Sequence, residues 1–483
     1  MALDRLNPSD SRHVGELKNL RAKSVCALEK QARLISQKSV YHFGKLPVEI
    51  CATVFALSVE ESKSAIVTLS HVCRHWRDVA LGAPELWRSL TLTRKTTKRQ
   101  VEAWIQRSRS ILYELSTRDE FLMEWRPDIS PILSGILWER LETLSLDLTT
   151  GTNHLHNLLP PGVYQRLRPV SLAIVDKLST TKQTQLSFWE PLEGVNLSRV
   201  QSLALSHVLS IPWTTLSRVT KLRNLTLSTQ TISITDIYPL LHANPQLEEL
   251  HLECASRPQP SSTVPSPTET PPRLPNLTRM TLRLANAVQY LYMCRVLAPN
   301  LTSLHIENAL HSTSYLDALL NSTEGSLENL VELTFKQCML DDQMVVHLLK
   351  RTNMLEKLCL HSSLFEDVNT VVDALARHPR DTVNDKFLCP RLRHVDLSQQ
   401  LKLQTGCIVK LVKAHLAYAT DSTSTDARGT DGVATPIVPL HTVIVDSCPN
   451  ISADALPWLR SKVEKVSCVF MTKRQASAMR RAW

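Results

Sequence analysis

Glycine is scarce, at 11 residues in 483. That excludes a fold built on glycine turns and any chain of phosphate-cradling loops. Long apolar runs are missing as well: none approaches the roughly 18 residues that a membrane span requires. The opening stretch MALDRLNPSDSRHVGELKNL has no apolar core of the kind a secretory signal carries. Nor is charge of one sign in strong excess, since 55 Lys and Arg face 46 Asp and Glu for a net +9. The densest basic clusters are Arg94, Lys95, Lys98 and Arg99, and then Lys473, Arg474, Arg480 and Arg481. Neither is interleaved with aromatics, so both read as solvated charge and not as a nucleic-acid platform. Eleven cysteines occur without any pair two to four residues apart, which argues against a zinc knuckle or a disulfide framework and for reduced, buried thiols. These absences point to a soluble chain, cytoplasmic or nuclear, with no membrane and no nucleic-acid partner.

Catalytic signatures are missing too. There is no GxSxG, no P-loop and no GxGxxG. His71 and His75 stand at i, i+4 as zinc ligands on a helix do, but the adjacent Glu and a third ligand are absent. Adjacent acids such as Glu248-Glu249 and Asp341-Asp342 point apart on a strand or cap a helix. The expectation is a non-enzyme with no catalytic residue, no cofactor and no metal.

What is present begins with helices. Residues 14–36 carry Val14, Leu17, Val25, Leu28 and Ile35 amid charge, the pattern of a helical arm within residues 1–43. Leu46-Pro47 then opens a helix with Glu49 in its first turn, followed by Ile50, Val54 and Leu57 at i, i+4, i+7 and by Phe55 beside them. A second helix reads Ile66, Leu69, Cys73, Trp76 and Ala80 on one stripe, until Gly82-Ala83-Pro84 stops it. About 35 residues of helix bury too little to stand alone, so this unit must dock on something.

From Leu86 onward no long helical stretch is expected, and one phrase returns instead: apolar residues at positions 1, 4 and 6 with polar ones between. Copies begin at Leu141, Leu167, Val200, Leu222, Leu247, Leu277, Leu301, Leu330, Leu355, Leu392 and Leu440. The bare pattern would arise about 17 times by chance, so it decides nothing. Polar residues at 2, 3 and 5 cut that expectation to about three, and seven of the eleven copies meet the stricter rule. The starts lie mostly 22 to 33 residues apart, the range of a leucine-rich repeat. A strand would point positions 4 and 6 inward while position 1 seals the layer, so neighbours must stack into a parallel sheet curved like a horseshoe.

The segments returning between strands look helical at Asp236–Ala243, Tyr315–Leu320, Asp342–Leu349 and Val368–Ala376, the third capped by Asp341 and Asp342. Residues 255–275 and 419–436 are rich in Pro, Ser and Thr without apolar periodicity, and are expected to be disordered insertions. Residues 378–390 make a shorter excursion.

LPVEICATVF followed by LSHVCRHWRDVALGAPELWRSL resembles the F-box motif, in the F-box-like form abundant in basidiomycete fungi. The match runs over about residues 44–92, and the repeats over 93–483 look like the leucine-rich half of F-box proteins. The fold class expected is an α/β solenoid: a small N-terminal helical F-box-like module followed by an irregular leucine-rich-repeat horseshoe. The resemblance implies a substrate-recognition subunit of an SCF-type cullin–RING ubiquitin ligase, whose helices dock a Skp-type adaptor while the repeats hold an unknown protein substrate. It would place adaptor contact on Leu46, Pro47, Ile50, Phe55, Val72, Cys73 and Trp76. The alternative is a leucine-rich scaffold or inhibitor protein with no ligase association. The pattern departs from many leucine-rich repeats at position 9, where only Cys338 and Cys448 supply the usual Asn or Cys.

A ligand protein would meet the strand face where positions 5 and 7 point outward. Small residues fill those positions in the early repeats; the charged, histidine-bearing middle does not. His251, Glu253, Arg283, His305, Glu307, Lys336 and His361 are therefore the candidate substrate-binding residues.

Overall fold

A computed structural model describes residues 46–109, 112–118, 129–147, 163–175, 195–208, 213–229, 234–254, 270–310, 327–377, 387–421 and 437–470. The expected arm at 14–36, the helical return at Tyr315–Leu320 and the centres of the three insertions lie outside the described residues. The chain divides into two compact units, one described over Leu46–Arg88 with Arg107–Arg109, the other over the remainder.

Among the described residues the first unit has three helices, α1 (Val48–Glu61), α2 (Ala65–Ser70) and α3 (Arg74–Gly82), and a 3₁₀ turn at Pro84–Trp87. Pro47 stands at the N-cap of α1, its carbonyl accepting from the amides of Ile50 and Cys51 at 3.1 Å each. Where the stripe Ile66–Ala80 predicts one helix, the chain breaks at residues 71–73. Cys73 turns extended there and caps α3, its Sγ accepting from the Trp76 amide at 3.5 Å. No proline or glycine marks the break. Packing decides it, because Ile66 and the Val79–Ala80 pair are both buried in a core with Cys51 and Phe55. Leu86 and Trp87 complete that core, and the Trp87 indole donates to the Ala80 carbonyl at 2.7 Å.

Among its described residues the second unit forms a parallel sheet of fourteen strands in sequence order, with a small two-stranded ladder beside it. Its strands are β1 (Ser89–Leu92), β2 (Glu114–Thr117), β3 (Thr143–Asp147), β4 (Ser171–Val175), β5 (Ser202–Val208), β6 (Asn224–Thr229), β7 (Glu249–Cys254), β8 (Arg279–Arg283), β9 (Ser303–Glu307) and β10 (Glu332–Lys336). It continues through β12 (Lys357–His361), β14 (His394–Asp396), β15 (Thr442–Ile444) and β16 (Lys465–Ser467), while β11 (Met339–Leu340) pairs with β13 (Leu364–Phe365). The repeat phrase explains the register. Leu225, Leu250, Met280, Leu304, Leu333 and Leu358 stand side by side at position 4. Position 1 is buried in all eleven copies. Each fully buried leucine contributes about 1.5–3 kcal/mol, and none could be buried by its own repeat alone.

The register moves at β4. Leu144 pairs with Leu172 and Leu146 with Ile174, so positions 4 and 6 are Leu172 and Ile174, not Val170 and Leu172. A slip of two residues keeps every side chain on its face, which is why the apolar pattern did not resolve it. Three further strands, β1, β2 and β16, extend the sheet beyond the recognised copies. They follow the same spacing with Leu112, Leu115 and Thr117, and with Val463, Val466 and Cys468, but polar or sulfur side chains replace leucines.

Helix is also more plentiful than expected after Leu86. It includes α4 (Lys98–Arg107), α5 (Ile234–His242), α6 (Ala285–Cys294), α7 (Asp342–Arg351), α8 (Val368–Leu375), the seventeen-residue α9 (Thr405–Asp421) and α10 (Leu456–Lys462). The edges of the insertions are ordered. Pro272 and Leu274 are buried, the latter's amide bonded to the Leu297 carbonyl, and residues 419–421 close α9. Asp341 caps α7, accepting from Met344 at 2.7 Å, whereas Asp342 reaches the next repeat and accepts from the Asp367 amide at 2.7 Å.

The turn after seven of the strands is tied in a recurring way. At position 8, His207, Leu284, Asn308, Gln337, Ser362, Gln399 and Ser447 all take positive φ, from 52° to 71°, with no glycine among them. At position 9, the Cys338 Sγ donates to the Ile306 carbonyl at 3.3 Å and the Cys448 Sγ to the Leu397 carbonyl at 3.1 Å. Ser363 and Gln400 do the same work, donating to the carbonyls of Phe335 and Leu360. The departure from Asn or Cys is thus chemical and not geometric: four different donors reach the same carbonyl of the preceding strand.

Candidate functional site

Helix α1 is apolar on two neighbouring stripes. Cys51 and Phe55, at i, i+4, turn inward, and the Phe55 ring lies 5.1 Å from that of Trp76. The stripe one residue earlier turns outward. Ile50 is 50% exposed, Val54 38% and Leu57 59%, joined by Val48, Val67, Val72 and Leu81 at 39–57%. Seven large aliphatic side chains left in water on about forty residues is far beyond the scattered surface leucine of an ordinary domain.

The expected adaptor residues separate on this geometry. Pro47, Ile50 and Val72 are exposed, and Leu46 is half-buried. Phe55 is 0% exposed, so its assignment to a contact surface is corrected: it is the core of the module. Cys73 is exposed but spends its sulfur on capping α3, and Trp76 is half-buried against Phe55. Val48, Val54, Leu57, Val67 and Leu81 were not singled out as contacts. The i, i+4, i+7 spacing of Ile50, Val54 and Leu57 marks the face, but no sequence pattern says which of two apolar stripes looks outward.

On the second unit, the outward positions of β7–β10 form a charge ladder. Arg283 bridges two carboxylates, its Nε donating to Glu307 at 3.0 Å and its Nη1 to Glu253 at 3.4 Å. Glu307, only 12% exposed, also takes Lys336 at 2.9 Å and lies 3.7 Å from His305 Nε2. Burial alone would raise the Glu307 carboxyl, but the Lys336 hydrogen bond and the charges of Arg283 and Lys336 outweigh it and hold the group below its ordinary value. His251 and His305 are both pushed down, first by burial, His251 then by Arg283 and His305 by Lys336 against the opposing pull of Glu307. The structure thus brings Glu253, Arg283, His305, Glu307 and Lys336 into one network, with His251 beside it.

His361 falls outside that network and lines a groove of about 680 Å³ on the same face, together with His305, His394, His441, Lys336, Lys357 and Lys465. Several of these come from position 3, a row that the reading of positions 5 and 7 passed over although period two makes it equally outward. Position 3 adds two further ion pairs, Glu249 with Arg279 and Glu332 with Lys357. The outward side of β4–β6 carries only uncharged residues of modest size: Ser171, Ala173 and Val175, Ser202, Ala204 and Ser206, Asn224, Thr226 and Ser228. Among the described residues no group of three or more His, Cys, Asp or Glu is placed to hold a metal ion, and no helix is long and apolar enough to cross a membrane.

The F-box-like family model matches residues 43–93. The F-box/TPR repeat protein pof3 of Schizosaccharomyces pombe is 24% identical over 429 residues, which cover 83% of this chain and 70% of the relative. Among solved structures, an internalin from Listeria monocytogenes aligns over 86% of this chain and 94% of its own at 16% identity and a TM-score of 0.40. A chain of the yeast Rad7–Elc1 complex aligns over 92% and 97% at 16% identity and a TM-score of 0.42. Residues 43–93 thus resemble the F-box-like family, on helices that carry an outward aliphatic stripe, and a parallel sheet with one strand per leucine-rich repeat follows them.

Proposed function

We propose that this chain is the substrate-recognition subunit of an SCF-type cullin–RING ubiquitin ligase. The observation that carries the reading is the outward stripe Ile50, Val54 and Leu57 of α1, with Val48, Val67, Val72 and Leu81 exposed on the same small module. Such a surface is stable in water only at a cost, and a partner that covers it recovers the hydrophobic free energy. The F-box-like match over the same residues supports a Skp-type adaptor as the partner class, and through it a cullin. The repeat face then holds a target protein within reach of a bound ubiquitin-conjugating enzyme. The chain's contribution is proximity, with the bond-making chemistry done elsewhere in the assembly.

Co-purification with a Skp-type adaptor tests this, comparing wild type with Ile50→Gln/Leu57→Gln. Glutamine keeps helix propensity, and both side chains already stand in water, so the variant should fold and lose the adaptor. Wild type that elutes without the adaptor overturns the reading and leaves a scaffold protein with no ligase association.

A further inference from the structure

The groove over β9–β16 has an uneven chemistry. Every carboxylate at its wall is already engaged: Glu307 by Arg283 and Lys336, Glu332 by Lys357, and Asp396 by the Ser398 hydroxyl and amide and by the Cys359 thiol at 3.7 Å. The cationic and imidazole groups are not balanced in the same way. Lys465, exposed at the end of the position-3 row, His361 and His394 make no ion pair among the described residues, and the His394 ring lies 5.4 Å from that of His441. His441 itself meets Glu464 at 2.7 Å, on the rim. A groove whose acids are spent and whose donors are open fits an anionic occupant, and its parallel ridges of strand side chains fit an extended one.

We propose that this groove docks an acidic peptide segment, gripped by Lys465 and by the imidazoles of His361 and His394. The assignment deepens the substrate-recognition reading and rests on it for the claim that the segment belongs to a target protein. It gives the site a built-in pH response. His394 faces Lys357 on β12 and Glu356 just before it, Arg393 beside its own strand, and His441 next to β15. His305 faces Arg283 on β8, Glu307 on its own strand, and Lys336 and Glu332 on β10. Burial first, then His441, Lys357 and Arg393 at His394, and Lys336 and Arg283 against the opposing pull of Glu307 at His305, push both rings below the ordinary histidine value, which favours the neutral imidazole in the free protein. A glutamate run laid between them favours the charged imidazole, so binding takes up protons and tightens as pH falls.

The test uses fluorescence anisotropy on the full chain with a labelled peptide carrying a run of glutamates, its glutamine twin and its phosphoserine twin. The glutamate peptide should bind at least about tenfold more tightly than the glutamine twin. Its affinity should rise several-fold from about pH 7.5 to about pH 6 and fall with added salt. Lys465→Glu/His394→Ala, two outward-facing changes, should remove the preference while leaving elution and circular dichroism unaltered. Equal binding of the glutamate and glutamine peptides, a flat pH profile in wild type, or binding by the phosphoserine twin alone overturns the assignment. Adaptor co-purification run in parallel keeps the two readings apart: a chain that captures adaptor but not acidic peptide loses only the groove.

Discussion

Phe55 and Leu57 sit two residues apart on one helix and should respond oppositely to substitution. Phe55 is fully buried in a core of seven side chains, Cys51, Phe55, Ile66, Val79, Ala80, Leu86 and Trp87. Phe→Ala in such a site costs about 3–5 kcal/mol, comparable to all that a module of this size holds in reserve. Phe55→Ala is therefore expected to unfold α1–α3. Leu57 already has 59% of its surface in water, so Leu57→Gln should change stability by no more than about 0.5 kcal/mol. In a complex the ranking reverses. Covering the exposed half of Ile50 and of Leu57 is worth about 0.8–1.5 kcal/mol each, so the double glutamine variant should weaken adaptor binding by about 20- to 150-fold. Amide hydrogen exchange on peptides from 48–82 reads the fold, with strand peptides from β5–β10 as internal reference, and calorimetric titration with adaptor reads the affinity. Retained protection in Phe55→Ala, or lost protection in Leu57→Gln, would refute the inside–outside division of α1.

Two further outcomes test the second unit. Glu307→Gln should cost about 1 kcal/mol at neutral pH, after allowance for its half-exposed partners Arg283 and Lys336. Because the folded-state carboxyl is held below its ordinary value of 4.5, the contribution is present above that value and is lost as pH falls through the lower one; urea midpoints for wild type and variant should converge at acid pH. At Gln337, where φ is 53°, Gln337→Val should cost about 1–2 kcal/mol more than Gln337→Gly, since a β-branched residue resists the left-handed region that glycine adopts freely. Thermal melting of the two variants checks it, and equal melting points would sink the strained-turn account.

Much of this was legible in the residues. The strand leucines declare themselves because position 1, 4 and 6 spacing has one physical use, and ten of the eleven copies fall in the observed register. The slip at Leu167 went unseen because a two-residue shift preserves inside and outside. Strands β2 and β16 are hidden because Thr117 and Cys468 stand where the phrase has leucine, whereas β1, with Trp87, Leu90 and Leu92 at positions 1, 4 and 6, falls inside the F-box-like match. The position-9 ties were half-visible: Cys338 and Cys448 carried the signal, while Ser363 and Gln400 showed only that a different donor can reach the same carbonyl. The F-box-like helices were readable as helices but not as faces, so Phe55 was placed on the surface and Leu57 was left without a contact role. The outward residues were readable as well, yet their pairing was not, because it depends on lateral neighbours brought together across loops of unequal length.

The signs along position 7 alternate from rung to rung: Glu253, Arg283, Glu307, Lys336. Solenoids gain and lose whole repeats over evolutionary time, and this alternation makes the loss of one repeat different from the loss of two. Excising the β9 repeat would bring Arg283 against Lys336, and excising β8 would bring Glu253 against Glu307, like charges abutting on adjacent strands. Removing β8 and β9 together would set Glu253 beside Lys336 and restore the match. Along this stretch the array therefore counts in pairs, and its length is guarded by electrostatic parity.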